Sequence, residues 1–439
     1  MEVNEITAAE YATRIVAHGG RVSNRLPLIV GRMRFQMLAG LCLAVILPGL
    51  MTSFIEFGSS PESLFDPTLF GTLAAFLLGY LLFRKVTGFP GVRASAYILP
   101  VFIAAYGIVV ATFFLLRIDY SRLQFLMSFF IAVFFFYALF VLVRRLSRME
   151  LAIVPIGDIS HLLALRFVAW RVLRSPDEPL QGTGLVADLD CDMPKEWERF
   201  VVDRALSGAP VYDARHVFES LSGRVQVEHL TDNLLGSLFP STIYRASKRW
   251  IDFVTALCVL IFVWPLLTLC MIVICLETKG PPVFTQYRMG LGGRPFRIFK
   301  LRTMRPGHDI EESIEGQKTL VGDPRITPFG KFLRKSRLDE LPQVINILRG
   351  EMSWIGPRPE ALQLSEWYEQ NIPSFRYRHI VRPGISGWAQ VNQGHVTTLD
   401  DIKIKLEYDF FYVKNFSLWL DLLVLLRTIR VVFTGYGAR

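Results

Sequence analysis

The sequence predicts an α-rich membrane protein: a four-helix transmembrane bundle, a small α/β insert domain, and an α+β domain with a re-entrant membrane helix and interfacial helices. Three observations predict it. Hydrophobic residues make up 51% of the 439-residue chain and mean hydropathy is +0.35, more apolar than soluble domains are. Four apolar runs, each near the ~20 residues a bilayer requires, follow one another in the N-terminal part. From Glu150 onward the apolar residues fall instead into short strand-like and helical patterns, apart from one further long run at 251–275.

The expected boundaries are 1–34 for an N-terminal tail, 35–146 for the four helices, 147–242 for the α/β domain and 243–439 for the remaining domain. The tail carries Arg14, Arg21, Arg25, Arg32 and Arg34 and lacks the small-residue cleavage site of a secretory signal, so it reads as cytoplasmic. The apolar runs span about residues 35–54, 69–83, 96–116 and 125–143. Arg84, Lys85 and Arg93 in one link and Arg144, Arg145 and Arg148 at the exit are positive, whereas the first hairpin holds Glu56, Glu62 and Asp66. Both ends of the bundle are therefore expected in the cytoplasm. No charged residue interrupts the middle of these runs, so they offer no ion path.

In the α/β region, 151–157 reads as a buried strand leading into a helix over 159–173, with further short strands at 184–186, 209–212 and 225–228. The G-x-G-x-x-G turn of dinucleotide-binding folds is absent, so no cofactor is assigned here.

The run 251–275 is long enough to cross a bilayer, but Lys248 and Arg249 flank one end and Lys279 and Arg288 the other, which asks for both ends in the cytoplasm. Pro265 lies near its middle, where a lost hydrogen bond and a steric clash bend a helix. A helix that enters one leaflet and returns satisfies both observations. The run 416–433 is interrupted by Asp421, Arg427 and Arg430, and reads either as an interfacial amphipathic helix anchored by Trp419 or as a core helix.

Charge narrows the partners. With 48 basic and 39 acidic residues the net charge is +9, and in a chain this apolar it points to anionic lipid or an anionic substrate rather than nucleic acid. The five cysteines include no C-x-x-C pair, so neither a disulfide frame nor a zinc site is indicated. His308 and His395 read as loop residues without metal spacing.

The chemistry is expected in 336–359. Leu338, Leu341, Ile345 and Leu348 recur at helical spacing, and Pro342 belongs in a first turn, so Asp339 and Glu340 are expected at a helix N-terminus. An acidic pair there can be a mere cap. However, Lys331, Arg334, Lys335 and Arg337 just upstream ask for an anionic partner, and prolines on both sides hold Arg358 ready for an oxyanion.

The run L-D-E-L-P-Q-V-I-N-I-L-R-G-E-M-S-W-I-G-P-R-P resembles the signature of the bacterial sugar transferases, monotopic polyprenyl-phosphate phosphoglycosyl transferases. The likeness extends to K-R-W-I-D at 248–252, V-F-T-Q-Y-R-M-G at 283–290, F-K-L-R-T-M at 299–304, V-R-P-G-I-S-G-W-A-Q-V-N at 381–392 and Y-D-F-F-Y-V-K-N at 408–415. It implies that a hexose-1-phosphate passes from a UDP-sugar to undecaprenyl phosphate at the cytoplasmic face of the bacterial inner membrane, beginning an exopolysaccharide, capsule or O-antigen repeat. By the resemblance, Asp339 is the nucleophile and a magnesium ligand, Glu340 assists it, and UMP leaves. It also implies phosphate-binding or pocket roles for Lys300, Arg334, Arg358, Arg382, Gln390, Asn392, Asp409 and Tyr412, a re-entrant bend at Pro265, and a degenerate nucleotide-fold-like insert. Trp264 stands before Pro265 where the family commonly has a small polar residue. From the residues alone, Lys300 can equally snorkel to the membrane surface, Arg382 can be a turn, and Asp409 with Tyr412 the wet face of a helix. Inner-membrane lipid is an expected partner, and a homodimer is left open. Two other functions fit less of the pattern: a glycosyltransferase that releases UDP, and a membrane scaffold or export component that binds lipid phosphate without turnover.

Overall fold

The computed structural model describes residues 33–57, 67–88, 94–146, 150–165, 168–178, 180, 184–226, 242–305, 323, 325–393 and 398–434. The residues of the tail before Met33, Arg93, Glu62, Asp66, His308 and His395 lie outside the described residues, as does the second half of the strand expected at 225–228. The chain divides into two compact units, Met1–Gly223 and Arg224–Arg439.

In the first unit, α1 (Met33–Leu41) passes through a π-helical segment (Cys42–Ile46) into α2 (Leu47–Phe57), followed by α3 (Pro67–Thr87), α4 (Ser95–Leu116) and α5 (Arg122–Leu146). Each expected apolar run falls in this helical region. The helices share a buried aromatic layer in which Phe76, Tyr80 and Phe102 surround Phe136 at ring-centroid distances of 5.1–6.2 Å. Leu81, Ile103, Phe114, Phe130 and Phe134 stay exposed, as expected of helices whose outer surface meets lipid rather than water. The protein is a membrane protein.

A four-stranded parallel sheet of order β2-β1-β3-β4 follows, built from β1 (Glu150–Ile153), β2 (Ala169–Val172), β3 (Gly184–Ala187) and β4 (Val211–Asp213). Its central strand is apolar on both faces because both are covered: Leu151 and Ile153 pack with Leu162, Tyr212 and Phe218, and Ala152 and Val154 with Leu173, Leu185 and Val201. The helix expected over 159–173 is only the single turn α6 (Ser160–Leu163), because 169–172 alternates as a strand and pairs with β1. At the crevice beyond β1, Asp188 accepts a hydrogen bond from the Asp158 N–H (3.2 Å), and a Cβ on Gly157 would stand 2.4 Å from its carboxylate. A carboxylate thus occupies the approach that a pyrophosphate needs. Helices α7 (Lys195–Leu206) and α8 (Ala214–Ser222) complete the layer.

The second unit is organised on α9 (Thr242–Glu277), which runs as one helix through Pro265. The strand β6 (Pro295–Leu301), paired in a hairpin with β5 (Val283–Met289), and the helix α10 (Pro328–Ser336) pack on it. A 3-10 segment (Leu338–Gln343) then leads into α11 (Val344–Arg349). Strand β7 (Ser353–Ile355) pairs in parallel with β8 (Gly384–Ser386), and α12 (Leu362–Asn371) with a second 3-10 segment (Pro373–Ile380) lies between them in the chain. Helices α13 (Trp388–Gln393), α14 (Leu399–Lys414) and α15 (Leu418–Thr434) close the unit. Beside β7 two backbones touch: a Cβ on Gly384 would lie 2.1 Å from the Gly356 nitrogen, so glycine is required where the Gly356-Pro357-Arg358-Pro359 turn leaves the strand.

Of the two readings of 416–433, the core one is realised on one face, where Leu420, Leu423 and Val424 are fully buried, while Leu418, Leu425 and Ile429 remain exposed. Asp421, an interruption in sequence, is the hub of a buried knot: it takes the Tyr412 hydroxyl proton (2.6 Å), the Tyr244 hydroxyl proton (2.6 Å) and a short contact from the Lys248 ammonium. Tyr412 also donates to the Ile355 carbonyl (3.0 Å) at the end of β7. Tyr412→Phe is expected to lower stability by about 1–3 kcal/mol, because it leaves a buried carboxylate oxygen short of a donor. A thermal shift in detergent reads this, and an unchanged midpoint would contradict the knot.

Candidate active site

Local chemistry shapes the turn that carries the acidic pair. The Thr327 hydroxyl caps α10 by accepting the Gly330 N–H (2.9 Å), and Pro328 fits its first turn. Arg337 ends α10 in the left-handed region (φ 59°), one of two non-glycine residues there among the described residues. The chain then turns in 3-10 geometry, so Asp339 and Glu340 sit in a tight turn one step before α11, not at the N-terminus of a long α-helix as the periodicity predicts. Pro342 inside the segment accounts for the difference, since an α-helical start at residue 338 would ask for an N–H it lacks.

Around this turn three predicted cations, Lys300, Arg334 and Arg358, converge on the acidic pair. Glu340 is buried, and one of its oxygens accepts from Lys300 Nζ (3.1 Å) and from Arg358 Nη2 (2.6 Å). Lys300 arrives from β6 and Arg358 from the turn after β7, so strand, 3-10 segment and loop meet at one carboxylate. Arg334 on α10 donates to the Thr303 hydroxyl (2.9 Å), and its charge acts on Asp339. Asp339 differs from its neighbour: its Oδ1 is buried and has no hydrogen-bond partner.

The two adjacent carboxyls are pushed apart in acidity. Burial would raise Glu340, but the Arg358 and Lys300 charges, with the Arg358 hydrogen bond, hold it well below the ordinary carboxylate range. Asp339 moves the other way, raised first by burial and then by the Glu340 charge, against the pull of Lys300, Arg334 and Arg337. Burial also lowers Lys300. Glu340 is thus a fixed counter-charge, and Asp339 is the more basic carboxylate of the two, with a buried oxygen that has no hydrogen-bond partner.

The family profile for bacterial sugar transferase matches residues 243–435. Across 402 residues, 91% of this chain and 94% of the relative, the chain is 42% identical to the UDP-N-acetylgalactosamine-undecaprenyl-phosphate N-acetylgalactosaminephosphotransferase of Aeromonas hydrophila. The chain belongs to the bacterial sugar transferase family. Two further relatives match less of its length. The UDP-glucose:undecaprenyl-phosphate glucose-1-phosphate transferase of Xanthomonas campestris pv. campestris is 42% identical over 45% of this chain and 41% of its own, and that of Escherichia coli K12 is 39% identical over the same shares. This sugar transferase is an enzyme, a phosphoglycosyl transferase, which removes the non-catalytic scaffold reading.

The remaining predicted residues of the transferase lie elsewhere. Arg382 donates to the Gly350 carbonyl (2.9 Å), and its charged neighbours are Arg249, Asp252 and Arg245, not the acidic pair. Gln390 donates to the Ile385 carbonyl (3.3 Å) and Asn392 to the Trp388 carbonyl (2.7 Å). Both thus brace α13, with the Arg427 guanidinium touching Asn392 and lying over Trp388. Asp409 and Tyr412 are neither open pocket residues nor the wet face of a helix: both are about fully buried, Asp409 paired with Arg378 (2.8 Å), because α14 packs its polar residues inward onto cations and carbonyls.

Sequence reasoning gave no role to the residues that brace Arg358. The Arg378 guanidinium donates to the Arg358 carbonyl (2.9 Å) and Arg288 to the Pro359 carbonyl (2.9 Å), so a buried and a half-buried cation hold two successive peptide groups. Glu360, held down at about 2 by Lys405 and Arg378 despite its burial, compensates them. Arg288 lies in a motif that marks the family, but only the fold discloses what its side chain meets.

Proposed function

We propose that this enzyme transfers a hexose-1-phosphate from a UDP-sugar to undecaprenyl phosphate through an aspartyl-phosphosugar intermediate and releases UMP. The observation that carries the reading is the split between adjacent carboxyls: Glu340 pinned by Lys300 and Arg358, Asp339 more basic with an unpartnered oxygen. In the first step an Asp339 oxygen attacks the sugar-linked phosphorus, and the bond to UMP breaks with its electron pair leaving on UMP. In the second an acceptor phosphate oxygen attacks the same phosphorus, and the acyl-phosphate bond breaks to restore the carboxylate. Lys300, Arg358 and Arg334 offer positive charge around the turn, where negative charge develops on the transferring group. The UDP-linked donor and undecaprenyl acceptor agree with the names of the three relatives.

Magnesium fits this donor set in a limited way. No group of three His, Cys, Asp or Glu among the described residues is placed to hold a metal, but the unpartnered Asp339 oxygen suits an ion that would take one carboxylate, with substrate phosphates and water as its other ligands. Bound there, it would withdraw charge from the diphosphate.

The membrane arrangement belongs to the same proposal. Helix α9 packs on its own domain on both sides of Pro265: Ala256 with Phe296 and Val344 before it, Leu267, Cys270 and Ile274 with Leu301 and Leu333 after it. Lys248 at one end holds Asp421, and Glu277 at the other accepts the Phe329 N–H (3.1 Å). Those ends are separated by about 44 Å of helix, more than the ~30 Å hydrocarbon thickness, so a domain on one side of a bilayer could not grip a straight crossing helix at both. This supports a helix that enters and leaves by the cytoplasmic face of the inner membrane. Its outward residues Trp250, Val254, Leu257, Ile261, Phe262 and Leu269 would then face lipid. The four N-terminal apolar runs would cross the membrane with both ends in the cytoplasm, and the product would begin an exopolysaccharide, capsule or O-antigen repeat.

The test is incubation of the detergent-solubilised full chain with magnesium, undecaprenyl phosphate and a panel of UDP-sugars that includes UDP-N-acetylgalactosamine and UDP-glucose. UMP is the expected product and chelation of magnesium is expected to stop its release. UDP in its place would favour a glycosyltransferase, and no release from any UDP-hexose would overturn the proposal.

A further inference from the structure

The Asn346 carboxamide is fully buried on α11, and two of its three hydrogen bonds reach across to β6 beside the reacting turn. Its Oδ1 accepts the Phe299 N–H (3.1 Å), and its Nδ2 donates to the Arg297 carbonyl (2.7 Å) and to Glu351 Oε2 (2.7 Å). Phe299 and Arg297 are two residues apart on β6, so the side chain bonds that strand as a piece of neighbouring strand would. The residue after Phe299 is Lys300, whose ammonium meets Glu340 in the turn directly preceding α11. The same two elements, β6 and the helical segment 338–349, are therefore joined twice, once by the Lys300–Glu340 pair and once by Asn346.

We propose that Asn346 is a positioning residue for the transfer reaction, setting the register of β6 so that the Lys300 ammonium stands at the Asp339–Glu340 turn. Glu351 fixes which way the carboxamide points: with both N–H groups engaged by acceptors, only the oxygen can face the Phe299 N–H. The inference rests on the reading of Lys300 and the Asp339–Glu340 turn as the reacting site.

A double-mutant cycle on the solubilised full chain tests it, with UMP release giving kcat and donor KM and a thermal shift giving stability. Asn346→Asp replaces the two donors with a carboxylate facing Glu351. It is expected to lower kcat by about tenfold or more, since a displacement near 1 Å can cost on the order of a hundredfold, with donor KM nearly unchanged. In a Lys300→Met background the same substitution is expected to change the residual kcat by less than about twofold, because no ammonium is left to misplace. Adding Glu351→Gln to Asn346→Asp is expected to restore only part of the lost rate, because it relieves the two facing carboxylates but leaves an oxygen against the Arg297 carbonyl. Equal fold-losses in both backgrounds, or a folded Asn346→Asp enzyme with wild-type kcat, would overturn the role. Should Asn346→Asp not fold, Asn346→Ser carries the same cycle. If Lys300→Met by itself leaves turnover unchanged, it is the underlying site assignment that fails.

Discussion

Asp339→Asn is expected to abolish turnover while leaving the fold as stable as before or more so. The amide cannot form an acyl phosphate, so the loss should reach at least on the order of a thousandfold, the scale seen when a nucleophile is removed from a group that acts as a unit. Stability moves the other way. The folded state raises the Asp339 acidity constant by burial and by the Glu340 charge, so its favourable contribution is full below the ordinary carboxylate range and is lost as pH rises through the raised value. At neutral pH the ionised side chain is a burden that the amide removes. Two measurements check this: thermal midpoint at neutral pH, and intact mass after incubation with UDP-sugar alone. The wild-type chain should gain the mass of a hexose phosphate at residue 339 and the variant should not. Turnover without such an adduct would exclude the two-step route.

Arg358→Ala is the second large effect, and it should act on both rate and stability. It leaves Glu340 buried with Lys300 as its remaining cation. Removing one partner of a buried pair costs about 3–5 kcal/mol, and the 29% exposure of the Arg358 side chain places the expectation at the low end. The rate should fall on the order of a hundredfold, as when one oxyanion-binding donor is lost. Arg358→Lys should recover little, because the 2.6 Å contact comes from a guanidinium whose own backbone is braced by Arg378 and Arg288. The pH dependence has a definite sign. A depressed Glu340 contributes stability above the ordinary carboxylate range that is lost as pH falls through the depressed value. Without Arg358, burial is opposed only by the Lys300 and Arg337 charges, so the acid-side loss should begin at higher pH. Melting curves from neutral to acid pH that run parallel in wild type and variant would contradict the pairing.

Much of this transferase could be read in one dimension. Helix positions in the N-terminal unit follow from runs of apolar residues, since a bilayer imposes length and composition whatever the neighbours are. The acidic pair and Arg358 stood out because charge beside proline and glycine in an apolar segment has few inexpensive explanations, whereas Lys300 was singled out only through the family resemblance. The limits fall where a contact partner decides. The stretch 159–173 has enough apolar residues for a helix, yet β1 draws its second half into a sheet. Asp421 looks like an interruption of an interfacial helix until Lys248, Tyr244 and Tyr412 surround it.

By itself, then, the order of residues determined a membrane chain with a cationic, carboxylate-bearing stretch at 334–358, because apolar length and local charge are properties of neighbours along the backbone. Only the tertiary structure decided that Glu340 is held by two cations while Asp339 keeps an unpartnered oxygen, that Asp409 and Tyr412 turn inward, and that Asn346 ties β6 to the turn. Those outcomes depend on residues 9 to 57 positions apart arriving within hydrogen-bond distance, and no local pattern encodes which pairs will meet.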